Sequence, residues 1–149
     1  MIVQKGSFKF NKVKVKSKTM KNELPRWIGI TAKNWFTKGF RQGGGQTDAS
    51  SSGWDARKKA DVGKKRGILI GKGRGTLRHS IRVLQSTFSR IIIGSTGLPY
   101  ARIHNEGLQG KAWGKHSFKM TKREFIGKST KLETVIKARI KQKMNLIFR

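Results

Sequence analysis

Tyr100-Ala101-Arg102-Ile103-His104-Asn105-Glu106-Gly107, followed downstream by Phe125-Ile126-Gly127-Lys128-Ser129, is the most informative part of this chain. Neither stretch carries recognisable catalytic chemistry. Ile103 to Gly107 reads as the end of a helix: Gly107 can supply a left-handed cap, and the His104 ring is placed to bond a backbone carbonyl there.

Upstream, Leu77 to Leu84 and Ser89 to Gly94 read as two strands, the second holding the uninterrupted run Ile91-Ile92-Ile93. Ile68, Leu69 and Ile70 open this apolar part as a short strand, and Gly71, Gly73 and Gly75 break it with a turn. Downstream, Lys115 to Met120 suggests a further strand and Arg123 to Ile126 another short piece. Thr130 and Glu133 have capping-box spacing. Leu132, Val135, Ile136, Ile140 and Met144 form an apolar stripe at helical spacing, so residues 129–147 are expected to be an amphipathic helix.

Toward the N-terminus, Pro25 suits a first helical position. Leu24, Ile28, Ala32, Trp35 and Phe36 fall on one face behind it, and Gly39 is able to stop the helix. Residues 42–53, rich in Gly and Ser, hold too few apolar side chains to pack and are expected to be a mobile loop. Residues 1–20 hold many lysines. Strict alternation from Lys12 to Lys16 suggests a strand with one cationic face, and a disordered basic arm is the competing reading. In either case the lysines point away from the core. A length of 149 residues is expected to make one domain of α+β class.

The chain holds 35 Lys and Arg against 7 Asp and Glu, a net charge of +28. There is no acidic residue before Glu23 and none from Val62 to Asn105. Such a charge repels itself unless an anion is near, and nucleic acid is the first candidate, because neutralised phosphates release counterions without sequence readout. No apolar run approaches the roughly 20 residues needed to span a bilayer, so a soluble protein with no membrane partner is expected. The absence of cysteine removes disulfides, thiolate metal sites and a cysteine nucleophile, and fits assembly in a reducing cytoplasm.

Gly71-Lys72-Gly73-Arg74-Gly75 invites a phosphate-loop reading that its spacing refuses: Gly73 stands where Ser or Thr should follow the lysine, and no helix pattern follows. Lys72, Arg74, Arg78 and Arg82 remain candidates for contact with a DNA backbone or an acidic partner. His79, His104 and His116 lack the paired spacing of a metal site, and the carboxylates lie scattered. No catalytic, metal or cofactor site is therefore assigned, and the protein is not expected to be an enzyme. Of the four tryptophans, Trp35 belongs to the apolar face of its helix, whereas Trp113, inside Gly110-Lys-Ala-Trp-Gly-Lys115, has an exposed setting suited to a subunit contact.

Taken in order, Trp54 with Arg57, Leu77 with Ser80 and Ile81, Tyr100 to Gly107, and Phe125 to Ser129 resemble the phage virion morphogenesis family, over roughly residues 24–130. The chain departs from that family's pattern at Thr121, where proline is usual. The resemblance implies an antiparallel sheet packed with an N-terminal and a C-terminal helix. It also implies a short helix at Tyr100 to His104 and a homo-oligomeric ring, expected as a hexamer, that completes the tail or forms the neck at the head-tail junction of the virion. Its partners would be other phage neck and tail proteins and, through the backbone, genomic DNA. Tyr100, His104 and Phe125 join Trp113 as candidate interface residues. A stand-alone nucleic-acid-binding protein is the alternative, and its supporting feature is the charge alone.

Overall fold

The computed structural model describes residues 10–56, 67–70, 75–112 and 116–148. The dominant element is a helix, α1 (Phe10–Gln42), about 50 Å long at the usual helical rise. It starts well before Pro25, which lies inside it, and runs past Gly39. The strand or arm expected over residues 12–18 is thus part of a helix. Alternation of Val and Lys is compatible with either period over so short a run, and continuity with the strongly helical stretch behind it decides the outcome. Pro25 removes the bond to the carbonyl four residues back, a cost tolerated because Leu24 and Pro25 are both buried.

The C-terminal helix α4 (Thr130–Phe148) lies antiparallel along α1. Lys16 Nζ donates to the Leu146 carbonyl at 3.0 Å, Lys143 faces Glu23 at 3.9 Å, and the Arg139 guanidinium stacks 5.7 Å above the Trp27 ring. The capping residue is Ser129 rather than Thr130: its Oγ accepts from Leu132 N at 3.3 Å and its carbonyl from Glu133 N at 3.0 Å.

Between these helices come a short helix α2 (Thr76–His79) and an antiparallel hairpin of β1 (Ile81–Ser86) and β2 (Ile91–Ser95). Leu77 to His79 are helical where a strand was expected. Ser80 ends the turn by donating to the Leu77 carbonyl at 2.7 Å and meeting Ser95 Oγ at 2.6 Å. Register slips between Val83 and Gln85, leaving Leu84 as a bulge. The hairpin rests on α1, where Gly29 allows close approach: a Cβ there would lie 3.0 Å from a Val83 methyl.

Next follow α3 (Tyr100–Glu106) and a second hairpin of β3 (Gln109–Ala112) and β4 (His116–Lys119). Among the described residues the expected antiparallel sheet is two separate two-stranded sheets. Residues 123–126 form no regular element and Ile68 to Ile70 form a turn rather than a strand. The architecture is α+β, with a long N-terminal helix that carries the C-terminal helix and the first hairpin, and a second small antiparallel hairpin.

The core gathers Ala32, Phe36 and Phe40 of α1 with Trp54, Leu77, Ile81, Ala101, Phe125 and Leu132. Phe40 is fully buried, edge-on to Trp54 at 5.3 Å and tilted against Phe125 at 5.4 Å. This aromatic centre ties the end of α1 to two segments that have no regular structure of their own.

Candidate functional site

The Gly/Ser segment over residues 42–53, expected to be mobile, is pinned. Gln46, Thr47 and Ser50 are buried, and Asp48–Ser50 form a turn of 3-10 helix. Its few apolar atoms matter less than its hydrogen bonds: Gly44 N to Gly39 O, Gly45 N to Ser50 O, and Asp48 N to Lys128 O. Trp35 Nε1 donates to the Gln46 carbonyl, while Trp54 Nε1 and Ser50 Oγ both donate to the Glu124 carbonyl. Gly44, at φ 109°, would bring a Cβ within 2.8 Å of Trp54 N, so only glycine fits there.

Residues 100–107 and 123–129 form one unit with this loop. Gly107 caps α3 at φ 71°, as its sequence suggests. Asn105 reaches across to the backbone of Phe125 and Ile126. Arg123 is buried and has no carboxylate partner among the described residues; its guanidinium donates to the carbonyls of Asp55 and Ala56 at 3.1 to 3.3 Å. The His104 ring stacks edge-on to Tyr100 at 5.9 Å, and its Nδ1 is buried with no hydrogen-bond partner among the described residues. Among the described residues the expected bond from this ring to a helix-end carbonyl is not made. Burial, and then the nearby Arg123 charge, lower the His104 pKa below the ordinary imidazole value.

Of the candidate interface residues, Tyr100 is partly exposed and His104 half-buried, whereas Phe125 is 2 % exposed in the core. Phe125 is thus a packing residue, because its ring completes the cluster around Phe40. Trp113 lies outside the described residues.

The basic candidates divide. Lys72 and Arg74 lie outside the described residues. Arg82 is exposed on β1, adjacent to the fully buried Ile81, so strand alternation turns it to the opposite face. Arg78 instead lines a cleft of about 420 Å³ between the last turns of α1 and α2, with Ile81 beneath. Lys33, Lys38 and Arg41 of α1 and His79 of α2 share that cleft, with the neutral Asn34 and Thr37 between them. Sequence reading passed over these α1 residues, although their spacing places them on one helical face beside the core stripe.

Among the described residues no carboxylate lines the cleft. Glu23, Glu106, Glu124 and Glu133 pair with Lys143, Arg102, Lys122 and Lys137, and Asp48 accepts from Thr130. Among the described residues, no three of His, Asp and Glu come together to hold a metal ion, and no helix is long and apolar enough to cross a membrane.

The sequence pattern of the phage virion morphogenesis family matches residues 9–145, from the first turn of α1 to the last turns of α4. This chain belongs to that family. No curated protein and no solved structure matches it. As a virion morphogenesis protein, the chain is a phage component with a role in building the particle. The family match spans the long helix, both hairpins, the pinned loop and α4, so the charged start of α1 belongs to the shared domain.

Proposed function

We propose that the protein is a structural subunit of a homo-oligomeric ring, with six copies expected, that completes the tail or forms the neck at the head-tail junction. Its basic surface would face DNA or acidic neighbours there. The observation that carries this reading, beside family membership, is the state of the two hairpins. Among the described residues each strand pairs with one partner, so the outer edges of β1, β2, β3 and β4 stand open. An isolated two-stranded hairpin is marginal in water, and open edges are templates for strands of another chain. Leu84 and Phe88 of the first hairpin are 51 % and 57 % exposed, apolar surface suited to a contact between copies.

A ring uses heterologous contacts, one face of each subunit meeting a different face of the next. An open edge on one side and apolar hairpin side chains on another meet that requirement. Neither the described clefts nor the scattered ion pairs assemble an acid-base or nucleophilic constellation, and the proposed role is correspondingly structural rather than catalytic.

Mass spectrometry of purified particles tests the reading. The protein should be present in a fixed copy number; abundance in infected cells with absence from particles would replace a ring subunit with an assembly factor. The basic cleft favours a second reading, a stand-alone sequence-independent nucleic-acid binder. Size-exclusion chromatography with light scattering separates the two, since such a binder stays small at high concentration until polynucleotide is added.

A further inference from the structure

We infer that the cleft between α1 and α2 is a binding site for the phosphates of a DNA backbone, with Lys33, Lys38, Arg41 and Arg78 as its contacts. The inference deepens the junction reading by naming the residues and the ligand. It relies on that reading only for the choice of DNA over other polyphosphates.

Four permanent cations converge on one concave surface without a carboxylate among the described residues lining it. Structural needs account for part of this at most. Lys38 and Arg41 lie near the C-terminal end of α1, where cations complement the helix dipole. That end carries only about half a negative charge, far less than four cations, and the dipole gives no reason for Lys33 or Arg78. The excess is an unneutralised positive field over a low-dielectric floor formed by the fully buried Ile81.

The chemistry of the lining selects the ligand. Two guanidinium forks and two ammonium groups suit phosphate oxygens, and the Asn34 amide adds a neutral donor. Lys33 to Arg41 runs about 12 Å along the helix axis, a length over which one DNA strand presents about three to four phosphates. No Trp, Tyr or Phe is among the described residues lining the cleft, which leaves it without the stacking platforms of single-strand binders. An acidic protein partner would want an exposed apolar anchor, and Ile81, the apolar member, is wholly covered. What remains is backbone contact without base readout.

The test uses the full-length chain and fluorescence anisotropy with short duplexes of unrelated sequence across a salt series. The cleft variant carries Lys38→Gln, Arg41→Gln and Arg78→Gln; the charge-matched control carries Lys131→Gln, Lys137→Gln and Lys141→Gln on the exposed side of α4. Each phosphate contact contributes about 0.9 to the salt slope, so the cleft variant should lose about two to three units of slope and the control less than about one, equally for every duplex. Thermal melting verifies folding. If the triple variant is unfolded, Lys38→Gln with Arg41→Gln, both exposed, should still lower the slope by about one to two. Equal losses in cleft and control variants overturn the site. So does a wild-type protein that fails to bind duplex at low salt, or one from which polyglutamate displaces DNA as well as unlabelled duplex does, which assigns the cleft to an acidic protein. Particle composition, measured separately, decides the ring reading whichever way the cleft result falls.

Discussion

The side-chain amide of Asn105 and the backbone of Ile126 pair as two strand residues would: Ile126 N donates to Asn105 Oδ1 at 3.0 Å, and Asn105 Nδ2 donates to Ile126 O at 2.9 Å. The same Oδ1 also accepts from Phe125 N at 2.9 Å. One side chain on α3 therefore substitutes for a strand partner that residues 123–126 lack, and it holds the Phe125 ring in the core.

Replacing Asn105 should be costly out of proportion to its size. Asn105→Ala leaves two donors and one acceptor partly buried without partners, a loss of about 2–4 kcal/mol by chemical denaturation. Asn105→Asp keeps the acceptor but sets a carboxylate against the Ile126 carbonyl, and it should recover little of that loss at neutral pH. An Asp variant as stable as the parent would show that the Nδ2 bond contributes nothing.

Asp48 ties the pinned loop to the first residue of α4, accepting from Thr130 N at 2.9 Å and from Thr130 Oγ1 at 2.8 Å. The backbone and side-chain bonds from Thr130, followed by the charges of Lys128 and Lys131, lower its pKa below the ordinary value of 3.8. A lowered carboxylate pKa adds stability that is present above the unfolded value and is lost as pH falls through the folded one. Asp48→Asn should therefore reduce the melting temperature at pH 7 and flatten its decline below about pH 4. Parallel pH profiles for parent and variant would remove Asp48 from the account.

His104 acts in a higher window. Its neutral form is favoured in the folded chain, so stability should fall as pH drops below the ordinary imidazole value of 6.5 toward the lowered one. His104→Phe retains a ring against Tyr100 and cannot take up a proton. As pH falls below about 6.5, the melting temperature of the parent should decline more steeply than that of the variant. A decline of the same slope in both would assign the effect to other groups.

The Gly/Ser segment should resist proteolysis in the isolated subunit, because its backbone groups and the Gln46 side chain are occupied. Gly44→Ala, forced into a left-handed backbone with its Cβ against Trp54, should open the loop and bring cleavage within residues 42–53. Rapid cutting of the parent there would contradict the pinned arrangement.

Residues whose environment is local were legible from sequence. Gly107 reads as a left-handed cap because the requirement is met within one turn, and the helical period of α4 is legible from Leu132 to Met144, although Val135 and Met144 of that stripe stay 44 % and 45 % exposed. The pinned loop was not legible, since its partners Glu124, Lys128 and Thr130 lie 70 or more residues away along the chain. Composition registers few apolar atoms there and cannot register donors that meet distant carbonyls. Lys12 to Lys16 misled for another reason: period-two alternation over five residues is also one turn and a half of helix. The cationic cleft was half visible. Arg78 stood out beside a glycine-rich turn, whereas Lys33, Lys38 and Arg41 gain meaning only when α2 folds against them.

The start of α1 has a consequence for how the molecule responds to its solvent. Its first turn has no acidic residue, and Lys12, Lys14, Lys16, Lys18 and Lys21 crowd the end where the helix dipole is already positive. Lys12 with Lys16, and Lys14 with Lys18, repel each other at four-residue spacing, each pair costing a few tenths of a kcal/mol. Ions screen exactly these terms while leaving the contacts with α4 nearly untouched. The first turns of α1 should therefore fray less as ionic strength rises, so that far-UV ellipticity grows with added salt before any change in melting of the core. The rod would act in this sense as a polyelectrolyte stem whose first turns are steadied by the surrounding ions.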